Sequence, residues 1–212
     1  MSAPPDLLSP QFLFDFGSPN AYLAHKVIPA IEARTGAKFA YVPVLLGGVF
    51  KATVNRSPME AFAGIPAKLA YEARERERFV AKHGLTRFAA NPHFPVNTLA
   101  IMRGAVAARR LGVFEAYVEA VFAAMWEQGR KMDDPAVIAE VLQAAALPAA
   151  ELIALTQDPS VKDELVAHTT AAVARGVFGS PSFFVGQELW FGKDRLGEVE
   201  AAIRVAGPAG AL

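Results

Sequence analysis

The first cluster of apolar positions is residues 11–16 (Gln-Phe-Leu-Phe-Asp-Phe), a short aromatic run that predicts a buried strand. Gly17-Ser18-Pro19 stops it. Serine is a favoured N-cap and proline a favoured first helical residue, so a helix starts here. Ala21, Tyr22, Leu23, Ala24, Val27, Ile28 and Ile31 predict that this helix is largely buried. Pro29 predicts a kink, because an interior proline removes a backbone hydrogen bond. Thr35-Gly36 ends the helix, glycine being free to take a left-handed cap. Residues 38–45 read as a second strand, ended by Gly47-Gly48. Strand, helix and strand in succession predict a parallel pair with a right-handed crossover.

The middle of the chain changes to helical spacing. Ser57-Pro58-Met59-Glu60 is a capping box with proline at the first helical position. Residues 68–83 form a polar, charged helix ending at Gly84, and residues 85–94 are irregular, with Asn91-Pro92 and Phe94-Pro95 marking turns. Residues 97–111 and 113–127 read as helices divided by Gly112. Asp134-Pro135 and Asp158-Pro159 each give a cap followed by proline, launching helices toward Ala146 and Arg175. After a turn at 176–181, residues 182–185 and 188–191 form a hairpin around Gly186-Gln187, and residues 196–205 form a closing helix. The string Phe-Gly-Ser-Pro occurs at 16–19, before a helix, and at 178–181, before a strand. The expected order is β-α-β, a helical block, then β-β-α. Residues 1–10 read as a loose leader.

Composition narrows the chemistry. The chain has 212 residues, 53% hydrophobic and 20% charged, which supports a packed core. The net charge of +0 removes the electrostatic footprint of a nucleic-acid binder. With no cysteine there is no disulfide, thiolate zinc site, CxxC centre or cysteine nucleophile. Residues 1–9 carry no Lys or Arg, unlike a secretory signal, and no apolar run approaches the ~18 residues of a membrane span. A soluble, cytoplasmic protein without a membrane partner is expected. His25, His83, His93 and His168 form no metal motif and read as structural or surface residues. The Arg/Glu run from Glu72 to Arg78 reads as a solvated helix face laced with i,i+4 pairs. Val118, Val121, Phe122, Met125 and Trp126 read as core or dimer interface.

Six segments, in order, carry a resemblance across nearly the whole chain. They are Phe14-Asp15-Phe16-Gly17-Ser18-Pro19-Asn20-Ala21-Tyr22-Leu23; Lys51 through Asn55 to Pro58; Lys68-Leu69-Ala70-Tyr71 on to Arg78 and Gly84; Phe94-Pro95-Val96-Asn97; Gly179-Ser180-Pro181-Ser182-Phe183; and Trp190-Phe191-Gly192-Lys193-Asp194-Arg195-Leu196. The chain resembles the 2-hydroxychromene-2-carboxylate isomerases and, more distantly, the kappa-class glutathione transferases. That resemblance implies an α/β, thioredoxin-like fold of the disulfide-oxidoreductase variant, with Ser18 where a reactive cysteine usually stands. Residues 1–55 and 176–212 would form the thioredoxin-like domain, and 56–175 an inserted helical domain. Four positions depart from the family pattern: Asn20 replaces an aromatic, Glu75 an aspartate, Ser180 an apolar residue and Lys193 a small polar residue.

The resemblance implies glutathione as cofactor, an aromatic carboxylate as substrate and a homodimer. Ser18 has two readings that stay open together. As an N-cap it contributes about 1 kcal/mol. As a catalytic residue it would donate a hydrogen bond to the thiolate of glutathione, a bond to a charged group being worth roughly 1.5–3 kcal/mol. The family plan usually has a cis proline at Pro181, which would offer the backbone of Ser180 to a peptide-like ligand. Gly192, Lys193 and Asp194 are expected at the γ-glutamyl end, although an N-cap carboxylate and a solvated lysine are the plainer readings of the last two. Asn55 and Lys68 are placed by resemblance near the substrate or the glycyl end, with Lys51 a further surface cation. Tyr71, one turn after Lys68, would wall the aromatic ring. Asn97 reads either as a substrate contact or as an N-cap. Two other functions remain open: a kappa-type transferase that consumes glutathione, and a non-catalytic thioredoxin-fold binding module.

Overall fold

The computed structural model describes residues 9–207, so residues 1–8 of the leader expected over 1–10, and the last five residues, lie outside the description. Strand β1 (Gln11–Phe14) leads into helix α1 (Pro19–Thr35) and strand β2 (Ala40–Pro43). Helices α2 (Leu46–Thr53), α3 (Pro58–Ala61), α4 (Pro66–His83), α5 (Leu99–Arg110), α6 (Phe114–Trp126), α7 (Pro135–Ala144), α8 (Ala149–Leu155) and α9 (Pro159–Ala174) follow. Strands β3 (Ser182–Val185) and β4 (Glu188–Phe191), a 3-10 turn at Lys193–Arg195 and helix α10 (Leu196–Ala206) close the chain. This is a thioredoxin-like α/β fold with its sheet ordered β2-β1-β3-β4. β1 is parallel to β2, with Phe12 opposite Tyr41, and antiparallel to β3, with Phe12 opposite Phe183.

The aromatic run of β1 is continuous because both faces of the strand are covered. Phe12 stacks on Phe14 and Phe183 at 5.6 and 5.4 Å, on the face that meets α1 and α6. Phe122 of α6 closes on Phe14 and Phe16 at 5.7 and 4.8 Å. Leu13 points the other way and packs with Val44, Val49, Ala172, Val177 and Phe184. Each fully buried Phe contributes about 1.5–3 kcal/mol. The stripe Val118, Val121, Phe122, Met125 and Trp126 is core: all five are buried in the same cluster as Phe12 and Phe14. Gly104 lets α5 and α6 approach, because a Cβ there would stand 2.0 Å from the Tyr117 hydroxyl oxygen.

The predicted starts are present. Ser18, Ser57, Asp134 and Asp158 all cap helices with their side chains, each followed by proline. Three points of the sequence picture need correction. Gly47-Gly48 does not end a strand: β2 stops at Pro43, and both glycines lie inside α2. Gly48 is tolerated there because α2 lies close on α9, a Cβ at Gly48 meeting Thr169 at 3.2 Å. Pro29 lies inside α1, exposed to solvent, and one helix spans it. Helix α8 was not expected. Ala146 turns the chain with φ +54, a left-handed residue that sequence does not advertise because it is not glycine. The Glu72–Arg78 face is solvated, but its ion pair is Glu75–Arg78 at i,i+3 rather than i,i+4.

Candidate active site

Ser18 sits at the junction of β1 and α1. It is 5% exposed, and its extended backbone (φ −93°, ψ 113°) is that of an N-cap. Its Oγ accepts from the Ala21 N–H at 3.2 Å and donates to the Ser180 carbonyl at 2.9 Å. From α6, the Trp126 indole N–H donates to the Phe16 carbonyl at 2.7 Å and fixes the approach to Ser18. Proline at the first position of α1 leaves the helix N-terminus open on that side, where the dipole favours negative charge.

Ser180 and Pro181 face this helix start. The Ser180–Pro181 bond is cis. The Ser180 carbonyl is engaged by Ser18, and the Pro181 carbonyl accepts from the Gly192 N–H at 2.9 Å. Each carbonyl accepts one bond within the fold and keeps a second lone pair.

Gly192 takes φ +95°, a conformation that favours glycine, and turns β4 toward the last helix. Lys193 is not solvated. It is 3% exposed, with its Nζ 4.8 Å from the centre of the Phe79 ring of α4 and 2.5 Å from Asp194 Oδ1. The stem packs inward because α4 closes over the 3-10 turn, and the charge is matched by the neighbouring carboxylate. Asp194 is exposed and caps neither the turn nor α10, so the N-cap reading of it fails.

Asn55 lies just past the C-cap of α2 and ties that end to the loop before Ser180. Its Nδ2 donates to the Phe178 carbonyl at 2.8 Å and its Oδ1 accepts from Arg56 N–H. The preceding Val54 takes the left-handed conformation that makes this turn. Ser18, Ser180, Pro181, Gly192, Lys193, Asp194 and Asn55 are thus joined by direct or one-residue links. Lys68, Tyr71 and Asn97 have no hydrogen bond to this group. Lys68 and Tyr71 project from α4, exposed, with the Lys68 ammonium 3.7 Å from the centre of the Phe62 ring. Asn97 accepts the Leu99 N–H at 3.0 Å in the manner of a cap, although α5 formally begins after Thr98. Lys51 lies exposed on α2.

Two features escaped the sequence reading. Asp15 is fully buried, accepts from the Gly17 and Leu46 N–H groups, and its own N–H donates to Ser180 Oγ at 3.1 Å. Burial pushes its carboxyl above the usual aspartate range, and the backbone donors oppose that shift. An acidic residue inside an aromatic strand was the available signal. Phe178 and Phe191 pack with ring centroids 4.5 Å apart at a 46° tilt, 42% and 43% exposed, and form an apolar edge beside Asn55's anchor. A cavity of about 850 Å³ lies elsewhere, between α1, β2, α6 and α9, and none of the sequence-predicted site residues lines it.

Comparison with known proteins gives a consistent placement. A family model described as a DSBA-like thioredoxin domain matches residues 11–204. The chain is 30% identical to a 2-hydroxychromene-2-carboxylate isomerase of Sphingobium xenophagum over 90% of its length and 95% of that protein. A solved 2-hydroxychromene-2-carboxylate isomerase superposes with a TM-score of 0.79 at 27% identity, covering 92% of this chain and 93% of the other. A probable DsbA oxidoreductase of Streptomyces coelicolor shares the fold, with a TM-score of 0.67 at 19% identity over 93% and 89%. With Ser18 standing at the helix start and no cysteine anywhere, the chain belongs to the DSBA-like thioredoxin family and, within it, to the 2-hydroxychromene-2-carboxylate isomerases.

Proposed function

We propose that this isomerase is glutathione-dependent and interconverts 2-hydroxychromene-2-carboxylate and trans-o-hydroxybenzylidenepyruvate, or a related conjugated aromatic acid. The observation that carries the reading is the Ser18 hydroxyl, held at the N-terminus of α1 beside the Ser180 carbonyl in a chain that has no thiol. The donor set suits an anionic sulfur. A serine hydroxyl can turn its single hydrogen from the neutral Ser180 carbonyl to an anion, because charge-assisted bonds are about twice as strong as neutral ones. The helix N-terminus adds favourable potential at the same place.

Glutathione, when bound, supplies the thiolate whose reversible addition frees rotation about the conjugated double bond of the substrate. Ser18 holds that charge and keeps the thiol ionised at neutral pH, each unit of pKa depression corresponding to about 1.4 kcal/mol. Asp194, exposed beside the start of α10, offers a carboxylate to the ammonium of the γ-glutamyl end. Lys193 fixes that carboxylate from beneath. Asn55 orders the loop that carries Ser180 and Pro181. In this reading Lys68 meets the substrate carboxylate, Tyr71 walls its ring, and the free amide nitrogen of Asn97 faces the substrate. The enzyme works as a homodimer in the cytoplasm, a compartment whose glutathione pool is kept reduced.

The test follows the ultraviolet spectrum of 2-hydroxychromene-2-carboxylate with the purified protein, with and without reduced glutathione. Equilibration that needs both, with glutathione recovered intact, supports the reading. Net consumption of glutathione into a stable conjugate would replace it with a kappa-type transferase. No turnover and no calorimetric binding of glutathione would leave a binding module.

A further inference from the structure

We propose that Asp15 is the positioning residue of this active site: its buried carboxylate sets the place of the Ser18 hydroxyl and thereby governs ionisation of the bound thiol, not its binding. The proposal rests on the glutathione reading above. Asp15 lies three residues before Ser18 and joins three segments: its own turn into α1, the start of α2 and the loop at Ser180. Its main-chain carbonyl accepts from the Ser18 N–H at 3.0 Å, and its main-chain N–H donates to Ser180 Oγ at 3.1 Å. Oδ1 accepts from the Gly17 N–H at 2.8 Å, closing a turn over the peptide that leads into Ser18. Oδ2 accepts from the Leu46 N–H at 2.7 Å.

Leu46 is the first residue of α2, whose N-cap, Leu45, has no side chain able to cap. The Asp15 carboxylate caps α2 from across the fold. The chain has a cheaper way to cap helices: Ser57, Asp134 and Asp158 do it locally. The latter two bonds are solvent-exposed, which spares the carboxylate the cost of desolvation. At Asp15 a carboxylate is instead fully buried, and among the described residues it has no ion-pair partner. What that cost secures is geometry. One rigid group holds the start of α2, the turn at Gly17 and both serines in register. Asn55 follows the C-terminal end of α2, so the same carboxylate also helps hold the anchor of the 178–181 loop.

Two oxygens facing two N–H donors require a carboxylate. In Asp15→Asn one of those N–H groups meets an amide NH2 whichever way the side chain turns. Leu46→Pro removes only the α2 donor. It suits the site, because proline is favoured at the first helical position and Leu45 already has the extended backbone (φ −89°, ψ 108°) that a following proline needs.

The experiment titrates the ultraviolet thiolate absorbance of reduced glutathione bound to wild-type, Asp15→Asn and Leu46→Pro protein. Calorimetric affinity and kcat are measured alongside. The expected result is an ionisation midpoint raised by about one unit, a tenfold change in the ionisation constant, with kcat reduced ~10- to 100-fold. Glutathione affinity should change far less, and Leu46→Pro should shift in the same direction by a smaller amount. The sign is decisive: deleting a nearby negative charge with no loss of geometry would lower the midpoint. An unchanged or lowered midpoint in folded Asp15→Asn, beside an ionised wild-type complex, overturns the proposal. A wild-type complex that binds glutathione but leaves it protonated at neutral pH overturns the functional reading itself, and this role with it.

Discussion

Ser18 and Ser180, 162 residues apart, are joined by a hydrogen bond of 2.9 Å from the hydroxyl of the first to the carbonyl of the second. Both belong to a Phe-Gly-Ser-Pro string, and their local roles differ as the sequence suggests: one caps a helix and the other precedes a strand. The fold nevertheless brings the two strings together. Ser180 contributes two different groups, its carbonyl to Ser18 and its Oγ to the Asp15 N–H.

That division of labour gives the first prediction. Ser180→Ala keeps the carbonyl that orders Ser18 but strands the buried Asp15 N–H. The cost to stability should be about 1–3 kcal/mol, measured by denaturant unfolding. A variant as stable as wild type would mean that another acceptor takes over.

Lys193 supports a prediction in the opposite direction. Its ammonium is buried with one carboxylate partner among the described residues, and it lies against the Phe79 ring. Replacing such a cation by an apolar group of similar length removes a desolvation cost. Lys193→Met should hold or raise Tm in a thermal melt, yet weaken glutathione binding through the freed Asp194. A fall in Tm of several degrees would show that the ion pair is a net stabiliser.

The acid side of the stability profile follows from Glu119. Its hydrogen bond from His25, with the Lys26 ammonium beside it, lowers its carboxyl from the ordinary 4.5 to about 2. A group with a depressed folded-state value stabilises the fold above its unfolded value and loses that contribution as pH falls through the folded one. Stability should therefore decline from about pH 4.5 toward pH 2. Glu119→Gln should flatten this part of the profile. Because Glu119 is half exposed, added salt should flatten it as well. An unchanged slope in the variant would assign the acid loss elsewhere.

The elements that carry strong local signals were legible in the chain. Ser18-Pro19, Ser57-Pro58, Asp134-Pro135 and Asp158-Pro159 each mark a helix start, because cap and proline act within a few residues. Gly186 at φ +60° gives the hairpin for the same reason. What stayed hidden depends on distant parts of the fold. α2 runs through two glycines because Asp15 caps it and α9 packs on it. Lys193 is buried because α4 lies over it. At the candidate site, the ordered motifs pointed to Ser18, Ser180 and Asn55, which hydrogen bonds link through neighbouring residues. They could not reveal Asp15, whose partners lie on other segments, or the Phe178–Phe191 pair.

The central claim is that the Ser18 hydroxyl stabilises a thiolate in addition to capping α1. The most direct measurement compares Ser18→Ala with wild type for both kcat in the isomerisation assay and calorimetric Kd for glutathione. The cap alone is worth about 1 kcal/mol of stability, whereas loss of a bond to a charged group costs roughly 1.5–3 kcal/mol, or about 10- to 200-fold in rate. The account predicts a fall in kcat of that size with only a small change in Kd. Equal losses in both, or a kcat that survives in the folded variant, would contradict it.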